Sequence, residues 1–165
     1  MAVIVVMGVA GSGKTTVGTR LAEALGVEYA EADAFHPQAN IEKMASGIPL
    51  TDADRWPWLH ALADWIRAHQ GTGGVVSSSA LKRRYRDVLR RGGDIWFLHL
   101  HGPRAVIAER MTNRAGHFMP VSLLDSQFAD LEALGADERG LVVDVRAPPD
   151  QIVSRARTAL TTAQP

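Results

Sequence analysis

The feature that most constrains the fold is a glycine-rich segment at residues 8–15, Gly-Val-Ala-Gly-Ser-Gly-Lys-Thr, between a short apolar run and a helical pattern. It matches the spacing G-x-x-x-x-G-K-[ST]. Glycines let the backbone wrap closely, so that successive N–H groups point inward as a nest for anions. The helix that follows adds its positive N-terminus. This order of elements predicts a loop that cradles phosphate groups.

The loop therefore predicts a nucleotide site. Lys14 would bring a mobile charge to the β- and γ-phosphates of ATP, and the Thr15 hydroxyl would ligate Mg²⁺. The ATP-binding residues expected from the loop are Gly8, Val9, Ala10, Gly11, Ser12, Gly13, Lys14, Thr15 and Thr16. The motif alone leaves open a module that binds nucleotide without catalysing a reaction.

Apolar runs alternate with helical patterns along the rest of the chain. Strands are predicted at residues 2–7, 27–31, 74–78, 94–100 and 141–145, and helices at 14–25, 55–69, 81–91, 103–113, 121–134 and 149–160. The runs are nearly all apolar, which indicates strands buried on both faces. We therefore expect one domain over residues 1–165, with an α/β fold of three layers (α/β/α) around a five-stranded parallel sheet.

Composition excludes several partners and sites. The 18 basic and 18 acidic residues give a formal net charge of zero, so no overall field would recruit nucleic acid or a membrane surface. Cysteine is absent, which excludes disulfides and thiolate metal sites and suits a reducing cytoplasm. The apolar N-terminal run is too short to cross a membrane and lacks the pattern of a signal peptide.

Two segments carry more polar chemistry than connectors need: residues 32–58, the expected substrate-binding segment, and residues 110–120, the expected lid. Asp33 follows the second strand, where a carboxylate would face the phosphates and orient an acceptor hydroxyl. No carboxylate follows the third apolar run, and no Asn-Lys-x-Asp sequence is present. These absences argue against GTPases and motor ATPases and favour a small kinase.

Several blocks are similar, in order, to the small gluconokinases of the P-loop type. They are residues 31–59, which begin Glu-Ala-Asp-Ala-Phe-His-Pro, and residues 79–87, 116–120, 126–128 and 135–139. The resemblance implies a fold related to adenylate and shikimate kinases, phosphorylation of D-gluconate by ATP to 6-phospho-D-gluconate, and a homodimer. The alternative is another small-metabolite kinase on the same fold, acting on a shikimate-like compound or another sugar acid. Glu31 stands where the family usually has Asp, which leaves a metal-water role for Glu31 open.

The acceptor implied by the resemblance has a carboxylate, which favours the cationic side chains of Arg and Lys. It also has hydroxyls, which need both hydrogen-bond donors and acceptors. The expected substrate-binding residues are Asp33, His36, Asn40, Lys43, Arg55, Ser79, Lys82, Arg83, His117 and Gln127. Which of Lys82, Arg83 and Arg84 contacts the substrate stays open. So does whether Gln127 contacts the substrate or supports the lid hinge.

The expected catalytic residues are Lys14, Asp33, Arg110 and Arg114. The two arginines are spaced to share one face of a helix, from which they could close over ATP and neutralise charge on the transferring phosphoryl group.

Overall fold

A computed structural model describes residues 2–113 and 122–163 of the chain. Five parallel strands form one sheet in the order β2-β3-β1-β4-β5. The strands are β1 (Val3–Met7), β2 (Glu28–Glu31), β3 (Gly74–Ser77), β4 (Ile95–His101) and β5 (Gly140–Asp144). The predicted α/β fold with a five-stranded parallel sheet is confirmed.

The helices of the described residues are α1 (Lys14–Leu25), α2 (Gln38–Ala45), α3 (Asp52–Ala68), α4 (Arg83–Arg90), α5 (Arg104–Asn113), α6 (Ser122–Asp130) and α7 (Pro149–Ala163). A short 3₁₀ helix, Ala32–Phe35, follows β2. The sequence analysis predicts no helix at the position of α2. Its residues Ile41 and Met44 are largely exposed, so no buried stripe marks the helix.

The sheet is buried because β1 lies at its centre, with every residue from Val3 to Met7 inside. Alternate residues of β1 enter two apolar clusters. Ile4 and Val6 pack with residues of α1 and α7, and Val3 and Val5 pack with residues of α3 and α4. The predicted burial on both faces therefore holds at the centre. On the edge strand β5, Val142 is 53% exposed.

Several predicted helix boundaries are wrong, and the structure gives a local reason for two of them. Helix α3 begins three residues earlier than predicted because Thr51 and Asp54 form a reciprocal capping box. Helix α6 ends at Asp130 instead of residue 134. There the chain turns away, and the Glu132 N–H donates to the Leu81 carbonyl at 2.7 Å.

A buried ion pair fixes the turn that leads from β3 into α4. Arg86 and Glu138 are fully buried, with Arg86 Nε donating to Glu138 Oε2 at 2.7 Å. Arg86 Nη1 also donates to the carbonyls of Ala80 and Leu81, at 2.8 and 3.2 Å. Ala80 has a φ of 46°, a left-handed conformation that needs such support in a residue other than glycine. The pair thus holds the turn in the shape that the pocket described below requires.

Within the described residues, no helix combines the length and apolarity needed to cross a membrane.

Removing one partner of the buried Arg86–Glu138 pair should destabilise the protein. We expect Glu138→Ala to lower the free energy of unfolding by about 3–5 kcal/mol, because the Arg86 charge would be left buried without its counterion. Urea denaturation measures the change. Asp64→Ala, which removes the partner of Arg67 in an exposed ion pair, is the control and should have a far smaller effect. Equal losses in the two variants would contradict this role.

Candidate active site

The phosphate loop joins β1 to α1 in a backbone shape that its glycines permit. Gly11 and Gly13 have φ values of 79° and 93°, in the left-handed region. A Cβ atom on Gly11 would lie 2.6 Å from the Met111 side chain, so this part of the loop also packs closely against α5. Gly13 is the N-cap of α1, and the loop therefore runs directly into the helix N-terminus.

Lys14 is folded back on its own loop. Its Nζ donates to the carbonyls of Gly8 and Val9, at 2.9 and 3.0 Å. Burial lowers the pKa of Lys14 to about 8, although the nearby carboxylates of Asp33 and Glu31 act in the opposite direction. The ammonium group is therefore close to both carboxylates and poorly solvated. The negative charge of a bound phosphate would stabilise the protonated form of such a group.

A pocket of about 270 Å³ lies along the outer side of the loop. It is lined by the loop residues Gly11, Ser12 and Gly13, by Thr16 and Val17 of α1, by Arg110 and Met111 of α5, and by Val145, Ala147, Pro149 and Ile152. Most of its lining residues outside the loop are apolar, which suits the adenine of a nucleotide. Arg110 thus reaches the predicted nucleotide site, whereas Arg114 and His117 lie outside the described residues.

A second pocket, of about 300 Å³, is connected to the loop through Gln127, a lining residue that contacts Ala10, and we call it the acceptor pocket. Five of the predicted substrate residues line it: Asp33, His36, Arg55, Ser79 and Gln127. The remaining lining residues are Met44, Leu50, Trp58, Leu59, Ser78, Ala80, Leu81, Tyr85, Ser126 and Asp130. The structure therefore brings together side chains from four separate parts of the sequence.

Asp33 enters this pocket from the 3₁₀ helix that follows β2. The Trp58 indole N–H donates to the Ala32 carbonyl at 2.7 Å, which ties the 3₁₀ helix to α3. Trp58 also stacks on the His36 ring, with centroids 4.3 Å apart. One tryptophan thus positions both of the predicted substrate residues on this segment.

His36 is held in a defined hydrogen-bonding state. Burial lowers its pKa, Asp33 acts to raise it and Arg55 to lower it, and the net shift is downward. Asn40 Nδ2 lies 3.2 Å from His36 Nδ1 and also donates to the Asp54 carbonyl. A donor at Nδ1 requires that nitrogen to accept, so the neutral ring carries its proton on Nε2. His36 therefore acts as a donor on the side away from Asn40.

Four predicted substrate residues do not line the acceptor pocket. Asn40 is buried beneath His36, and Lys43 forms an ion pair with Asp54 at 2.8 Å. Arg83 donates to Asp137 and lies 3.7 Å from the buried Glu138. Lys82 lies near the mouth, 3.8 Å from Asp130 and 6.0 Å from the centre of the Tyr85 ring.

The mouth of the pocket carries a cationic cluster around Tyr85. Arg55 Nη1 donates to the Tyr85 hydroxyl at 3.0 Å, and that hydroxyl donates to Asp52 at 2.7 Å. Arg84 contacts the same carboxylate at 2.7 Å. Asp52 thus gathers two arginines beside the pocket, where they favour an anionic ligand. The sequence analysis did not single out Tyr85, although it lies within the block at residues 79–87.

The Thr15 hydroxyl is part of a polar network at the ends of β2 and β3. It donates to Glu31 Oε1 at 2.7 Å, and the Tyr29 hydroxyl lies 2.7 Å from both Glu31 Oε1 and Ser77 Oγ. Burial is the largest cause that raises the pKa of Tyr29, to about 12. The donor set beside the loop is therefore all oxygen, as Mg²⁺ prefers.

Comparisons with known proteins give the family and the fold that the chain resembles. A family model described as an AAA domain matches residues 3–134. A gluconokinase of Gluconobacter oxydans is 51% identical over 154 residues, which cover 91% of this chain and 86% of that protein. A sugar kinase structure from Janibacter sp. has a TM-score of 0.91 at 56% identity, covering 99% of this chain and 96% of the other. A gluconokinase structure from Sinorhizobium meliloti has a TM-score of 0.88 at 50% identity, with coverage of 98% and 92%.

The lowered pKa of Lys14 predicts that nucleotide binding takes up a proton. Phosphate charge should raise this pKa from about 8, so the affinity for Mg²⁺-ATP should fall as pH rises above 8. Calorimetry at pH 8.5 in buffers of different ionisation enthalpy should detect an uptake of roughly half a proton or more. Lys14→Arg keeps the charge without titrating in this range, and its uptake should be close to zero. Binding without proton uptake in the unaltered protein would contradict the assignment.

Proposed function

The chain belongs to the gluconokinase family, and on this premise we propose that it transfers the γ-phosphoryl group of ATP to D-gluconate, giving 6-phospho-D-gluconate and ADP. The observation that carries the proposal is the placement of Asp33 and Arg55 in one pocket beside the phosphate loop. An acceptor held there lies between a carboxylate that can orient a hydroxyl and a cation that can hold a carboxylate.

The reaction needs a hydroxyl oxygen in line with the γ-phosphorus. Asp33 accepts a hydrogen bond from that hydroxyl and takes its proton as the new O–P bond forms. The bond between the γ-phosphorus and the β–γ bridging oxygen breaks, and ADP leaves. Lys14 and Arg110 act on the nucleotide side, where they offset the charge of the phosphates.

The rest of the acceptor pocket suits a sugar acid. Arg55 and the neighbouring Arg84 favour its carboxylate, and the neutral His36 donates to a hydroxyl through Nε2. Ser79 supplies a hydroxyl that can donate or accept. Three predicted substrate residues have a structural role in this proposal. Asn40 orients His36, and Lys43 holds Asp54. Arg83 anchors the loop that contains Asp137.

The residues beside the loop fit Mg²⁺. Thr15 would ligate the ion directly, and Glu31, hydrogen-bonded to Thr15, would hold the hydroxyl in place or bind a water of the ion. When bound, Mg²⁺ would neutralise charge on the phosphates. The all-oxygen donor set supports this assignment.

Further assignments come from the resemblance to the family. We propose that Arg110 and Arg114 act from a lid over the nucleotide, that His117 of the lid contacts the substrate, and that the enzyme works as a homodimer in the cytoplasm. Its ligands would be gluconate and ATP, with no nucleic acid or membrane partner. The zero net charge supports the last point.

A panel of acceptors tests the proposal. ADP release should be stimulated by gluconate and far less by shikimate, glycerate or nucleoside monophosphates, and NMR should place the phosphate on O6. Asp33→Asn should lower kcat by about 100-fold or more, because the amide cannot take the hydroxyl proton, while ATP affinity stays within a few-fold. Asp64→Asn on the outer face of α3 is the matched control. If gluconate gives no stimulation, the proposal fails.

A further inference from the structure

Gln127 links the acceptor pocket to the phosphate loop. Its Oε1 accepts a hydrogen bond from the backbone N–H of Ala10 at 2.7 Å, and its side chain lines the acceptor pocket together with Asp33. Ala10 belongs to the phosphate loop, whereas Gln127 belongs to α6, 117 residues later in the chain. A loop that presents its N–H groups to phosphate thus has one of them occupied by the protein itself.

The chemistry of the contact determines how the amide is oriented. A backbone N–H can only donate, so the oxygen of the Gln127 amide must face Ala10. A phosphate oxygen is also an acceptor, and its negative charge repels a second acceptor oxygen at the same N–H. Binding of a phosphate at Ala10 therefore favours a turn of the Gln127 amide, which moves the oxygen away and directs the nitrogen, a donor, towards the phosphate or the acceptor pocket.

The position of this contact indicates which phosphate is involved. The Ala10 N–H points to a side chain of the acceptor pocket, whereas Gly11, Ser12 and Gly13 line the nucleotide pocket. The phosphoryl group nearest the acceptor is the γ group, since it is the one transferred. A diphosphate would fill the nucleotide pocket without reaching this N–H.

We propose that Gln127 couples the two substrates: the γ-phosphate displaces its amide from Ala10, and the released amide donates to a hydroxyl of the acceptor. The acceptor then binds tightly only when a triphosphate is in place. By linkage, the acceptor strengthens triphosphate binding by the same factor. The inference rests on the proposed function for the identity of the acceptor, and the nucleotide measurements below do not depend on it.

The experiment measures two dissociation constants by calorimetry, using the Mg²⁺ complex of a non-hydrolysable ATP analogue and gluconate. In the unaltered protein, the analogue should tighten gluconate binding by about fivefold or more, and ADP should do so much less. In Gln127→Ala this coupling should fall to near one. The analogue alone should bind about two- to tenfold tighter than to the unaltered protein, because no internal acceptor competes for Ala10. Gln151→Ala, an exposed glutamine on α7, is the matched control.

Gln127→Glu provides a second variant of nearly the same shape. Its carboxylate can still accept from Ala10 but repels a γ-phosphate, so the analogue should bind more weakly while ADP binding is retained. Coupling that persists in Gln127→Ala would overturn the inference, and so would a loss of analogue affinity in that variant. If gluconate is turned over by the unaltered protein and yet shows no coupling, the inference fails and the proposed function stands. If gluconate is not turned over, the proposed function fails, and the analogue and ADP affinities still test the contact with Ala10.

Discussion

The active site depends on the parallel pairing of β1, β2 and β3, because parallel strands end at one edge of the sheet. The phosphate loop leaves β1 at this edge, Asp33 follows β2, and Ser79 follows β3. This arrangement of the strands brings a phosphate cradle, an acceptor carboxylate and a pocket wall together. β1 is buried along its whole length, and the Arg86–Glu138 pair fixes the turn after β3.

The sequence predicts the strand–loop–helix unit on the donor side, since the phosphate loop depends on local chemistry. Glycines, Lys14 and Thr15 act within one strand–loop–helix unit, and the structure shows that unit as expected. The fold class follows from the alternation of apolar runs and helical patterns. Helix α2 could not be predicted in this way, because Ile41 and Met44 remain exposed and no buried stripe forms.

The acceptor side is harder to predict, because contacts with distant parts of the chain decide which polar side chains line the pocket. Asn40, Lys43 and Arg83 have the right chemistry for a sugar acid, yet each is engaged by another side chain or backbone group of the protein. Tyr85 and Trp58 organise the pocket through contacts with distant segments. Gln127 lines the acceptor pocket and contacts Ala10 of the phosphate loop, a contact across 117 residues that the sequence does not reveal.

The most direct test of this account is a crystal structure with a non-hydrolysable ATP analogue, Mg²⁺ and gluconate bound together. The account predicts the γ-phosphate on the Ala10 N–H, with Gln127 turned away from it. It also predicts the terminal hydroxyl of gluconate hydrogen-bonded to Asp33, and the gluconate carboxylate beside Arg55. Gluconate bound outside this pocket, or with its terminal hydroxyl away from Asp33 and the γ-phosphate, would contradict it.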